Sequence, residues 1–104
     1  MAAVEPSGAA WPEPGQIYRD PVGEAVVLVL AAPRWPGVLR CGGVPMLTAP
    51  TLPCGYHSRP DFSTALWPGR RYRDPASGLE VRCLRAGRGP LTYTGRVLVA
   101  VVGS

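Results

Sequence analysis

Two segments, Tyr18-Arg19-Asp20-Pro21 and Tyr72-Arg73-Asp74-Pro75, each set a phenol, a guanidinium and a carboxylate side by side within 104 residues. Asp can act as a general base, a Tyr hydroxyl can donate to developing charge, and Arg can clamp an anion. Tyr18, Asp20, Tyr72, Arg73 and Asp74 are therefore the leading catalytic candidates, provided that both copies meet around one polar pocket. Cys54-Gly55-Tyr56-His57 brings a thiol close to the only His. That pair could be a nucleophile with its base, or, completed by Cys41, the ligands of a single metal site. Trp35, Trp67 and Tyr93 are the candidate ligand-binding aromatics, because Trp-Pro surfaces suit ligand and peptide contacts. Each group also has a plain structural reading. Tyr-Arg-Asp-Pro can simply build a β corner, and Cys54 and His57 can be incidental loop residues.

No phosphate loop, dinucleotide fingerprint, His-Glu-x-x-His or Gly-x-Ser-x-Gly motif is present, and no cofactor is expected. Residues 1–54 carry three Arg against four acids, and residues 55–104 carry eight Arg against three. A basic second half could meet an acidic protein or an anionic small molecule. Its charges are spread rather than clustered, so nucleic acid is not the expected partner. The absence of Lys and Asn beside eleven Arg fits the codon usage of a GC-rich bacterial genome.

The elements that must position these groups are short. Gly and Pro number 13 each, which favours short strands and tight turns over helices. Residues 1–13 lack periodicity and read as a flexible arm. A first β module spans 14–47, a connector 48–67 and a second β module 68–104. In the first, Val26 to Leu30 is apolar on both faces, as in a strand buried on both sides. Val38 to Cys41 is a second strand, and Val44 to Leu47 a third. The connector holds three prolines, with room for one helical turn from Asp61 to Leu66. In the second module Leu79, Val81 and Cys83 should face inward, with Glu80 and Arg82 outward. Leu91 to Thr94 follows. Val97 to Val102 closes the chain as an apolar strand, buried inside or lying in a homodimer interface.

The modules align with each other. Tyr18 matches Tyr72, Val27 and Val29 match Val81 and Cys83, and Leu39, Cys41 and Gly43 match Leu91, Tyr93 and Gly95. Repetition at this many positions marks a tandem repeat. Halves of about 50 residues are near the lower limit for an independent core, so the two should pack as one domain. The Asp of each corner should cap its turn by accepting backbone N–H bonds two or three residues on.

The run Gly69-Arg70-Arg71-Tyr72-Arg73-Asp74-Pro75-Ala76-Ser77-Gly78, an alternating strand, and then Leu91-Thr92-Tyr93-Thr94-Gly95 resembles the desulforedoxin-like module. That is a small rubredoxin- or zinc-ribbon-like β fold whose metal is held by a Cys-x-x-Cys-Gly knuckle and a later Cys-Cys-Gly. The resemblance covers about 14–47 and 68–99. It implies an all-β fold of two tandem desulforedoxin-like β modules related by a pseudo-twofold. It also places Asp74, Ser77, Tyr93 and Thr94, and Asp20, Gly23, Cys41 and Gly42, where ligands would sit. Only Cys41 is a thiol, whereas such a site needs four thiolate or imidazole ligands.

The leading expectation is a metal-free binding or accessory protein that holds a partner protein or small molecule. The alternative is a cofactor-independent enzyme, of cyclase or isomerase type, in bacterial specialised metabolism. The third is a single-site metal protein using Cys41, Cys54 and His57. The N-terminal stretch has neither a basic nor an apolar leader segment, and the longest apolar run is far below the ~20 residues of a membrane span. A cytoplasmic protein with reduced thiols and no membrane partner is expected.

Overall fold

The computed structural model describes residues 11–49 and 66–101. The helical turn expected at 61–66 lies outside these residues except for Leu66, which forms an isolated bridge with Gly87.

Among the described residues all regular structure is β. The strands are β1 (Ile17–Arg19), β2 (Val26–Ala31), β3 (Leu39–Cys41), β4 (Val44–Pro45), β5 (Leu47–Ala49), β6 (Arg71–Arg73), β7 (Glu80–Arg85), β8 (Leu91–Tyr93), β9 (Arg96–Val97) and β10 (Val99–Ala100). They form two antiparallel sheets, one in the order β10-β6-β7-β2-β1-β5 and one in the order β4-β3-β8-β9. Both sheets cross from the first half of the chain to the second, through β2–β7 and β3–β8. Neither half therefore holds a complete sheet. Exposed backbone edges at β2 and β3 would be left if the halves parted.

The core lies between the inner faces. Tyr18, Val27, Val29, Tyr72, Val81 and Cys83 point inward from the larger sheet and meet Leu39, Cys41, Leu91 and Tyr93 of the smaller. Alternation in β7 follows its sequence, with Leu79 just before it, Val81 and Cys83 fully buried and Arg82 exposed. Strand β2 is central, paired to both β1 and β7. Its second face is only half covered, since Leu28 and Leu30 are half-buried. Val26, on that same face, is 2% exposed, so burial on both sides holds at Val26 and gives way to partial cover at Leu28 and Leu30.

The C-terminal apolar run also alternates. Leu98 is buried, while Val97 and Val99 are 53% and 51% exposed. Burial inside the chain is thereby excluded for these two. Leu98 divides β9 from β10, sending one into each sheet, and Met46 does the same between β4 and β5. Strand β5 reaches Ala49 and pairs with β1, so pairing extends into the stretch read as connector.

Strands β1 and β6 were not legible as strands. Each is three residues, with one inward Tyr between two outward residues. Each is anchored on both sides by tertiary pairing, β1 by β2 and β5, β6 by β7 and β10. Among the described residues no helix is long and apolar enough to cross a membrane.

Candidate functional site

Strand alternation decides where the Tyr-Arg-Asp side chains go, because neighbouring residues point to opposite faces. Tyr18 and Tyr72 enter the core, while Arg19 and Arg73 stand on the outer face of the larger sheet. Asp20 and Asp74 follow the strands and are buried in the turns. The triplets therefore do not converge on one pocket. Tyr18 donates its hydroxyl proton to Gln16 Oε1 at 3.3 Å, and the Trp67 N–H donates to the Tyr72 hydroxyl at 3.0 Å. Burial raises the pKa of both phenols.

The turns cap as expected. The Val22 N–H donates to Asp20 Oδ1 at 2.9 Å, and the Ala76 N–H to Asp74 Oδ1 at 3.3 Å. Around Asp74 the polar groups then accumulate. Ser77 Oγ donates to Asp74 Oδ2 at 2.7 Å. Arg96 reaches both carboxylate oxygens, at 3.3 and 3.4 Å, and also donates to Thr94 Oγ1 at 2.8 Å. Burial opposes ionisation of Asp74. The bonds from Ser77, Arg96 and the Ala76 N–H outweigh it and hold the carboxyl below its usual range.

A loop from the first half closes over this corner. The Arg34 N–H donates to the Ser77 carbonyl at 2.7 Å, and the Arg34 guanidinium to the Ala76 carbonyl at 3.0 Å. The Tyr93 hydroxyl donates to the Trp35 carbonyl at 2.7 Å. Arg96 lies over the Trp35 ring, 5.3 Å from its centroid, a cation–π contact. The fit leaves no space at Gly37, where a Cβ would come within 2.5 Å of Thr94 and 3.0 Å of Tyr93. Thr94 itself has φ of 50°, a left-handed conformation rare for a β-branched residue. Its Oγ1 takes the bond from Arg96 and one from Trp35 Nε1 at 3.5 Å. The strained position thus delivers a hydroxyl to the network.

The corner of the first half is simpler. The loop of the second half covers it, with the Gly42 N–H donating to the Pro90 carbonyl at 2.9 Å and the Cys41 thiol to the Arg88 carbonyl at 3.6 Å. Burial, followed by the neighbouring Asp20 carboxylate, pushes the Cys41 thiol up to about 12. Gly23 stands three residues after Asp20, as Ser77 does after Asp74, and a Cβ there would meet Asp20 Oδ2 at 2.7 Å.

Neither corner fits a thiolate-bound metal. In the first half the four positions are Asp20, Gly23, Cys41 and Gly42, and two of them have no side-chain donor. In the second, Asp74 and Ser77 bond to each other, the Tyr93 proton is committed to a carbonyl, and a guanidinium sits on the carboxylate. Among the described residues no three His, Cys, Asp or Glu cluster as metal ligands. Cys54 and His57, and with them the Cys41–Cys54–His57 site, lie outside the described residues.

Of the ligand-binding candidates, Trp35 is 36% exposed on the corner, Trp67 is half-buried beside Tyr72, and Tyr93 is fully buried. Tyr93 holds the loop rather than contacting anything outside. Burial, with the Tyr18 and Asp74 charges, pushes its hydroxyl up to about 12. Cys83 is fully buried, and burial pushes its thiol up to about 11. Thiols and phenols held this high stay protonated at neutral pH.

The pairing of Arg96 with Asp74 was missed by sequence reasoning, which offered Arg96 only as a basic residue for the nucleic-acid reading it set aside. Its signal lies in a difference between the two halves, since the first has Val44 two residues after Gly42 where the second has Arg96 two residues after Thr94. No family model, curated protein or solved structure matches the chain.

Proposed function

We propose that the chain is a metal-free binding or accessory protein, made of two tandem desulforedoxin-like β modules related by a pseudo-twofold axis. The ten strands support the duplication. Exchanging β1–β5 for β6–β10 in turn returns the same two strand orders. The backbone bonds also recur in pairs. Gly15 N–H to the Val29 carbonyl matches Gly69 N–H to the Cys83 carbonyl, and Met46 N–H to the Leu39 carbonyl matches Leu98 N–H to the Leu91 carbonyl.

The observation that carries the metal-free reading is the Arg96 guanidinium on the Asp74 carboxylate. It supplies positive charge where the resemblance would put a cation, and Ser77 completes the shell. A metal there would have to displace a bonded guanidinium. The binding role follows from the side chains that face outward, Trp35, Arg34 and Arg96 at the corner and the arginines of the larger sheet. The polar groups buried behind them are committed to internal partners. The buried, unpaired thiols Cys41 and Cys83 suit a reducing, cytoplasmic setting.

The test is incubation of the full chain with a small-molecule extract of its host, read by mass spectrometry before and after. A binding protein converts nothing, and one that takes a small molecule retains it in about stoichiometric amount. Catalytic conversion of a metabolite, lost in Asp74→Asn or Tyr72→Phe, overturns the reading in favour of an enzyme.

A further inference from the structure

The outer face of the six-stranded sheet carries an ordered surface that the corners do not use. Strand register fixes which residues lie side by side on it. Ala49 is opposite Ile17, Ile17 opposite Leu28, Leu28 opposite Arg82, and Arg82 opposite Arg71. This is one continuous row over five adjacent strands, roughly 20 Å long at the usual strand spacing. Its first three members are apolar and its last two are arginines. Arg73, one strand step away, extends the basic end and faces Val99 on the edge strand. A groove lined by Gly15, Gln16, Ile17, Thr48 and Ala49 lies at the apolar end.

The basic end is electrostatically incomplete. Arg71 and Arg82 stand directly opposite each other, a like-charge pair that destabilises a sheet. Glu80, directly opposite Arg73 in the register, forms its ion pair with Arg71, Nη1 to Oε2 at 3.1 Å, and leaves Arg82 unanswered. Arg73 and Arg82 are exposed, and their guanidinium groups have no ion pair or hydrogen bond among the described residues. An incoming carboxylate between Arg71 and Arg82 would relieve the repulsion and gain two charge-assisted bonds. The apolar end is half-buried at Ile17 and Leu28, so covering it removes further apolar area from water.

From this charge pattern we propose that the outer face docks an acidic, amphipathic polypeptide segment of a partner protein. Its carboxylates lie on Arg82 and Arg71, and its apolar side chains lie on Leu28, Ile17 and the groove beside Ala49. The proposal rests on the binding-protein reading and names the surface that reading needs. A peptide fits better than the other polyanions. The outward residues of β1, β2, β6 and β7 include no aromatic ring on which a nucleobase could stack. Ile17 and Leu28 belong to paired strands and cannot enter an acyl layer as a free amphipathic helix does.

The experiment titrates the labelled full chain with a synthetic peptide in which a cluster of Asp and Glu precedes a Leu-rich amphipathic stretch. The control peptide has the acids changed to Lys. Binding is read by fluorescence anisotropy and located by amide chemical shifts. The acidic peptide should bind, shifting amides of β1, β2, β6 and β7, and added salt should weaken it. Arg82→Glu should weaken it about tenfold, the loss of roughly one charge-assisted contact, and should improve binding of the Lys peptide. Val22→Ser, in the exposed turn joining β1 to β2 and outside the row, should leave it unchanged.

No binding of the acidic peptide, or equal binding of both peptides, overturns the proposal. Shifts confined to the Trp35–Arg96 corner also overturn it but leave the binding-protein reading standing. Phosphatidylserine vesicles bound with the same dependence on Arg82 overturn it in favour of a lipid surface. Metabolite conversion, by contrast, sinks the binding-protein reading whatever the peptide does.

Discussion

The turns at Asp20 and Asp74 open with the same Tyr-Arg-Asp-Pro, yet they are held in different ways. At Asp20 the carboxylate caps one backbone N–H and lies beside a protonated thiol. At Asp74 it caps a backbone N–H, accepts from a serine and pairs with an arginine that in turn lies on a tryptophan. Gly23, Gly42 and Val44 in the first half stand where Ser77, Thr94 and Arg96 stand in the second. Those three differences turn a small, locally capped turn into a connected polar network. One backbone frame thus tolerates two ways of satisfying a buried acid, by sparing use of side chains or by surrounding it with donors.

The widest gap between the corners should appear on deleting the acids. Asp74→Ala strands Ser77, the Ala76 N–H and Arg96, and should cost about 3 kcal/mol of unfolding free energy. Asp20→Ala loses chiefly one turn cap and should cost about 1 kcal/mol. Urea denaturation of both variants checks this, and equal losses would mean that the Arg96 network adds nothing.

Crowding gives the next contrast. Gly37→Ala forces a methyl against Thr94 and Tyr93 and should cost about 2 kcal/mol. Gly23→Ala meets only the end of the Asp20 side chain, which can swing aside, and should cost less than about 1 kcal/mol. The same denaturation series measures both.

Acid should separate the corners further. The folded Asp74 carboxyl lies below its usual value of 3.8, so its contribution is fully present above that pH. It is lost as pH falls through the lower folded value. Stability should therefore drop below about pH 4, and Asp74→Asn should flatten that drop. An unchanged acid slope in the variant would place the titrating group elsewhere.

A further contrast lies at the two left-handed positions. Thr94→Gly relieves a φ of 50° but removes the hydroxyl that Arg96 uses, so the net change should stay within about 1 kcal/mol. Gly42→Thr puts a β-branched residue at φ 61° with no arginine to reward it, and should cost about 1–2 kcal/mol. Thermal midpoints of the pair test whether the strain at Thr94 is offset by its bonds.

The sequence made some of this legible. The inward Leu79, Val81 and Cys83, the strands at Val26, Leu39 and Leu91, and the Asp caps follow from period-two alternation and turn chemistry, which are local. Strands β1 and β6 were hidden because three residues carry too little pattern, and tertiary pairing defines them. The site was half visible. Asp74, Ser77, Tyr93 and Thr94 stood out through the repeat and the knuckle resemblance. Trp35 stood out as an aromatic candidate, but the pairing of Arg96 with Asp74 and the closure of the Arg34–Trp35 loop over the corner did not, because the contacts span 22 to 59 residues and no local spacing encodes them. Comparing the two halves for their differences, rather than their likeness, would have pointed to Arg96.

The central claim is that side chains, not a metal, hold both corners. The direct test is the thermal unfolding of protein stripped with a chelator, with and without added zinc, alongside elemental analysis of the untreated protein. The account predicts the same midpoint in both samples and no stoichiometric metal. A midpoint raised by zinc, or one equivalent of metal that survives dialysis, would contradict it.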